Sequence, residues 1–245
     1  MIMYTETMTF AEMYAEYQKD IPELRADSRR FKASGGYKKV RAAGVRFPYL
    51  IVHECRTKSC NRYLVLSIFA SRADAFGEPL EYAKAIIQTD EGLAMYTISM
   101  GNDREKGGFL FMPHVFQRYR QRMGFSYNSI DTIRTFIKRN MEFVYNEGYR
   151  RKSKKDDPKE IMLSCHDGAV FGRIDDQDDN CAILRTFIST ETMQEGYKAQ
   201  FDKEFDNCLD ENMKTLAYKD PELAMQVSVC RRARNDRKKN TDDKN

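Results

Sequence analysis

No stretch of this 245-residue sequence is long and apolar enough to span a bilayer. The first turns are acidic and amphipathic, without the basic-then-apolar build of a signal peptide. Both absences predict an intracellular, cytoplasmic protein with no membrane partner. Tryptophan is missing altogether, and the six cysteines are scattered with no Cys-x-x-Cys pair. A disulfide framework is therefore not expected, and Cys55, Cys60, Cys165, Cys181, Cys208 and Cys230 read as reduced, mostly buried thiols. Several glycine- and histidine-bearing signatures are also missing: Gly-x4-Gly-Lys-Ser/Thr, Gly-x-Gly-x-x-Gly after a strand, His-Glu-x-x-His and Gly-x-Ser-x-Gly. Nucleotide hydrolysis, dinucleotide redox work, zinc proteolysis and serine hydrolysis are excluded in their commonest forms. There is no internal repeat and no low-complexity linker.

What is present suffices for a proper core. Hydrophobic residues make up 41% of the chain and charged residues 32%, with a net charge of +4. That charge is uneven: basic clusters lie at Arg29–Arg46, Arg150–Lys155 and Arg231–Lys239, and acid collects at Asp175–Asp179. Residues 9–19 have a Thr9 cap and Phe10, Met13, Tyr14 and Tyr17 at helical spacing, and a second helix is expected from Ile21-Pro22 to Ala33. Strand signals follow at Tyr49–His53, Tyr63–Phe69, Leu80–Thr89 and Leu93–Ser99, with Thr89-Asp90-Glu91-Gly92 as a hairpin connection. After a polar loop at Gly101–Gly108, the run Phe109–Met112 leads through Pro113 into a short helix stopped by Gly124. A longer helix is predicted for Ser129–Asn146, then an exposed basic loop at Gly148–Glu160. Three strands complete the pattern, Ile161–Cys165, Ala169–Ile174 and Cys181–Ser189, with His166-Asp167-Gly168 and Asp175–Asn180 as turns. A helical region near Glu191–Arg232 and a disordered tail, 233–245, are expected to end the chain.

Without βαβ alternation, the class is α+β: antiparallel meanders packed on a helix pair, with helical N- and C-terminal regions. The expected organisation is a helical region at 1–48, an α+β core at 49–232 with a sub-boundary near 101–108, and the tail.

The functional signal lies in Phe109–Ser126. At about 100° per residue, His114, Arg118 and Arg122 fall on one stripe of the helix. Phe116, Tyr119 and Met123 form the adjacent, buried stripe. An imidazole beside two guanidiniums suits binding of a phosphodiester and proton transfer on it. The structural alternative is a solvated face whose arginines pair with carboxylates such as Asp131.

This His-x3-Arg-x3-Arg helix, the second amphipathic helix, the basic loop and a three-stranded meander ending in Ser/Thr resemble the barnase–EndoU–colicin–RelE-like small ribonuclease superfamily. The likeness covers about residues 109–190. It implies a metal-independent, cofactor-free endoribonuclease of toxin-like type, of bacterial or phage origin, with His114 as acid/base and Arg118 and Arg122 on the phosphate. It also implies a contribution from Arg185, Thr186 or Thr190 of the last strand, RNA or another polyanion as partner, and an inhibitory protein partner. The basic loop (Arg150, Arg151, Lys152, Lys154 and Lys155) would add salt-sensitive affinity, and Tyr119, Tyr127 or Tyr149 would stack an unpaired base. Two rival readings use the same residues: a non-catalytic module for nucleic acid or an acidic partner, and a structural or assembly protein.

Two weaker patterns are set aside. His53, Cys55 and Cys60 lack metal-knuckle spacing, and a fourth ligand among Cys165, His166 or Cys181 is unspecified, so no metal is expected. Asp175–Asn180 lacks the glycine and closing glutamate of a calcium loop and reads as a hairpin turn.

Overall fold

The computed structural model describes residues 4–45, 47, 49–99, 107–126, 128–140, 144–146, 160–178 and 181–193. The chain forms two compact units, Met1–His114 with Arg173–Arg185, and Val115–Gly172 with Thr186–Asn245.

In the first unit, helix α1 (Phe10–Ala33) begins with a full capping box. Thr9 Oγ1 accepts from the Glu12 amide at 3.3 Å, and Glu12 accepts from the Thr9 amide at 2.8 Å. The two helices expected here are one, because the helix passes through Pro22. Proline removes one hydrogen bond from a helix interior. Packing compensates, since Phe10, Met13 and Leu24 share a core with residues across the sheet. Helix α2 (Lys38–Arg41) is a single turn.

β1 (Tyr49–Arg56), β2 (Arg62–Phe69), β3 (Leu80–Thr89), β4 (Gly92–Ser99) and β5 (Gly107–Phe111) pair antiparallel in sequence. Tyr63 and Val65, Ala85 and Ile87, and Ala94 and Tyr96 fall on the face covered by α1. A polar knot is buried with them. Asp20, 2% exposed, accepts from Tyr63 Oη at 2.9 Å, Asn61 Nδ2 at 2.8 Å and Thr57 Oγ1 at 3.1 Å. Each carboxylate interaction here offsets the desolvation of Asp20.

The sheet departs from the expected antiparallel meander at β9 (Cys181–Ser189). It pairs parallel to β5, from Gly108↔Cys181 to Phe111↔Leu184. The fold is thus α+β with a mixed sheet, the strands of the first unit running β1-β2-β3-β4-β5-β9.

The second unit holds α3 (Pro113–Arg122, from Val115 on), α4 (Ser129–Arg139), β6 (Val144–Asn146), β7 (Glu160–Cys165), most of β8 (Gly168–Ile174) and the end of β9. Its strand order is β9-β8-β7-β6. Phe116, Tyr119, Phe136 and Phe187 pack edge to face at centroid distances of 5.0 to 5.5 Å. The helix expected to reach Asn146 stops at Arg139, and Val144–Asn146 is a strand on β7. The stop has a tertiary cause: Asn140 leaves the helix to bond Asp167 in both directions. Its Nδ2 donates to Asp167 Oδ2 at 3.1 Å, and its Oδ1 accepts from the Asp167 amide at 2.8 Å.

The helical region expected near Glu191–Arg232, beyond Met193, the expected 233–245 tail and nearly all of the 148–160 loop lie outside the described residues. No helix among the described residues is long and apolar enough to cross a membrane.

Candidate functional site on helix α3

Helix α3 follows β5 directly. The Met112 amide, just before it, donates to Leu184 O of β9 at 2.9 Å. Gly124, at φ +66°, ends the helical segment in a conformation that L side chains resist. Between these points the sequence PHVFQRYRQR contains three arginines and no acid. Val115, Phe116 and Tyr119 are buried, while His114, Gln117, Arg120 and Gln121 are exposed and Arg118 and Arg122 half-buried. Phe116 and Tyr119 are buried as the spacing predicted, whereas Met123, expected in the same stripe, is half-buried.

His114, Arg118 and Arg122 lie on consecutive turns, about 6 Å apart along the axis. The boundary between units falls just after His114, so the helix itself is what relates the imidazole to the guanidiniums. Arg118 donates to Gln121 Oε1 at 3.2 Å. Arg122 donates to the Phe187 carbonyl of β9. Burial, and then the charge of Arg118, hold the Arg122 pKa below its ordinary value. Asp131 pairs with Arg134 of its own helix.

The setting of this helix is fixed from below by an acid that sequence patterning did not single out. Asp167 is fully buried. Tyr119 Oη donates to its Oδ2 at 2.7 Å, and Arg139 donates to both oxygens at 2.8 and 2.7 Å. Burial alone would raise the Asp167 pKa. The hydrogen bonds from Arg139 and Tyr119 outweigh it and hold the carboxyl below its ordinary value. The Tyr119 hydroxyl is pushed up, by burial first and then by the Asp167 charge.

One expectation is corrected here. Tyr119, expected as a stacking platform for a base, is 0% exposed and packed between Phe136 and Phe187. Its ring meets no ligand. On β9, Arg185 is exposed, Thr186 half-buried and Thr190 buried. The Thr190 amide donates to the Asp167 carbonyl at 3.0 Å. Arg150, Arg151, Lys152, Lys154 and Lys155 lie outside the described residues, as do Tyr127 and Tyr149.

The three residues of the His53, Cys55 and Cys60 pattern have separate settings. His53 Nε2 lies 3.1 Å from Asp27 Oδ2 and its ring stacks on Phe31 at 4.0 Å. Burial, then Asp27, pushes the Cys55 thiol up to about 12, far from the thiolate a metal takes. Cys60 is exposed in the turn after β1. Among the described residues no group of three or more His, Cys, Asp or Glu could hold a metal ion.

No protein-family model, curated protein or solved structure matches the chain.

Proposed function

We propose that this protein binds RNA, with α3 as the element that seats phosphate groups. The observation that carries the reading is Arg122. Its half-buried guanidinium has a neutral backbone carbonyl as partner and a second guanidinium, Arg118, close enough to depress its pKa. An anion seated beside two like charges would lower their mutual repulsion. The surroundings share the sign: α3 carries Arg118, Arg120 and Arg122 with no acid, and α4 adds Lys138, while Arg134 and Arg139 are paired with Asp131 and Asp167.

On this reading the exposed His114 imidazole is the group on α3 that would transfer the proton. In metal-independent cleavage a base takes the 2′-OH proton, the 2′-oxygen attacks phosphorus, and an acid protonates the departing 5′-oxygen. Arg118 and Arg122 would stabilise the charge that builds on the phosphoryl oxygens. No second proton-transfer partner is identified, which favours binding over catalysis. The resemblance to small ribonucleases supports the cleaving form of the proposal.

The test is labelled RNA mixed with the full chain across a salt series, in the presence of a chelator. Arg122→Ala is expected to weaken binding on every sequence and to lower the salt slope by about 1. Affinity independent of salt would overturn the proposal. If the chain cuts RNA, His114→Ala should reduce the rate by roughly a hundred-fold or more while leaving affinity intact.

A further inference from the structure

Phe76 is the large hydrophobic side chain the described surface leaves open, at 65% exposure. It follows the 3-10 turn Ala73–Ala75 in the first unit. A single exposed phenylalanine is ordinary, so the case rests on its setting. The Arg41 guanidinium lies 4.7 Å from the ring centroid and covers one face. The loop is pinned on all sides. Phe76 and Gly77 amides both donate to Ala73 O, at 2.9 and 3.0 Å. Arg41 donates to Ala75 O at 3.0 Å, Lys32 Nζ to Phe76 O at 2.9 Å and Gly77 O at 2.5 Å. Beneath it, Ala75 is buried with Tyr37, Val40 and Phe69.

The charges around the ring are a second, independent observation. The hydrogen-bond partners of Lys32, Arg41 and Arg72 are all backbone carbonyls, Arg72 reaching Ala42 O at 3.1 Å. Lys38 and Lys39, on α2, are exposed and make no ion pair. The acids of the loop are Asp74, which accepts from Ser71 at 2.8 and 3.1 Å, and the exposed Glu78. Lys32, Arg41 and Arg72 thus hold this loop through backbone carbonyls, and Lys38 and Lys39 lie on the neighbouring helix α2; among the described residues none of the five is bonded to a carboxylate.

We propose that this surface binds single-stranded nucleic acid. The open face of Phe76 stacks an unpaired base, Arg41 backs the ring, and Lys38, Lys39 and Arg72 hold the flanking phosphates. The ring decides among polyanions. A duplex or an acidic peptide would satisfy the cations, but neither presents a splayed planar base. The inference needs nothing from α3.

The test is fluorescence anisotropy on the full chain with a labelled oligouridine of about twelve nucleotides. A duplex of equal charge and polyglutamate serve as comparators. Phe76→Ala should weaken oligouridine binding about ten-fold and leave duplex binding unchanged, and Phe76→Tyr should restore it. Lys38→Ala with Lys39→Ala should lower the salt slope by roughly 1 to 1.5. Unchanged affinity for Phe76→Ala, or equal affinity for oligouridine, duplex and polyglutamate, would overturn the proposal. The paired variant Arg118→Ala/Arg122→Ala separates the two surfaces. If it abolishes binding while Phe76→Ala does nothing, this inference fails and the α3 reading stands. The opposite result sinks the α3 reading and keeps this one.

Discussion

Asp167 and Gly168 show how much a two-residue turn can carry. A Cβ built on Gly168 would lie 1.9 Å from the Ile188 carbonyl oxygen, and backbone there cannot yield as a flexible side chain can. Gly168→Ala is therefore expected to lower stability by about 3 kcal/mol or more, read from denaturant midpoints. A loss under about 1 kcal/mol would mean that β8 and β9 separate easily at this point. Asp167 tests a different quantity, because its partners differ in charge. Tyr119→Phe removes one neutral donor and should cost about 1 kcal/mol. Asp167→Ala leaves Arg139 without its carboxylate and should cost roughly 3 to 5 kcal/mol. The double variant should cost less than the sum, because both changes break one network. Strict additivity would show that the Tyr119–Asp167 hydrogen bond contributes nothing to stability.

Among the elements, α1 is the one whose local sequence and packing disagree. Pro22 lies inside a helix that is otherwise well capped, and a proline there is worth about 3 kcal/mol less than alanine. Pro22→Ala should raise stability by about 1 to 3 kcal/mol, visible as a higher thermal midpoint. A lower midpoint would mean that the bend at Pro22 itself seats Leu24 in the core. The same disagreement explains what the sequence made legible. Strand limits for β2, β3, β4 and β9 follow from runs of β-branched and aromatic residues and the turns that flank them. The split of α1 and the over-extension of α4 have the opposite origin. Pro22 is overridden by packing, and Asn140 is captured by an acid 27 residues away in sequence. Helical periodicity contains neither fact. The parallel pairing of β5 with β9 was equally hidden, since adjacent strand signals suggest hairpins and say nothing about a return over 70 residues. The candidate site was legible as far as its residues share one helix. His114, Arg118 and Arg122 follow from spacing alone, whereas Phe76 and Arg41 meet only through tertiary structure and left no local pattern.

At the scale of the whole molecule, two buried groups set how stability responds to acid, one in each unit. His53 is buried, and desolvation lowers its pKa despite the opposing effect of Asp27. Its folded pKa lies below its unfolded value, near 6.5, so the unfolded chain binds the proton more readily. Its contribution is complete above that value and is lost as pH falls towards the folded pKa. Asp167 also has a depressed folded pKa, with burial opposed and outweighed by Arg139 and Tyr119. Its contribution is present above its unfolded value, near 3.9, and is lost only as pH falls through the lower folded value. The first unit should therefore begin to lose stability around pH 6, and the second near or below pH 4. Hydrogen-exchange protection factors measured from pH 7 to pH 4 separate the two responses. Amides of β1, which carries His53, should lose protection first, while those of β7 and β8 around Asp167 hold. Replacing His53 by Gln removes the titrating group and should flatten the response of β1 across that range. If β1 in the variant still loosened from pH 6 downward, the acid sensitivity of this unit would have to arise elsewhere.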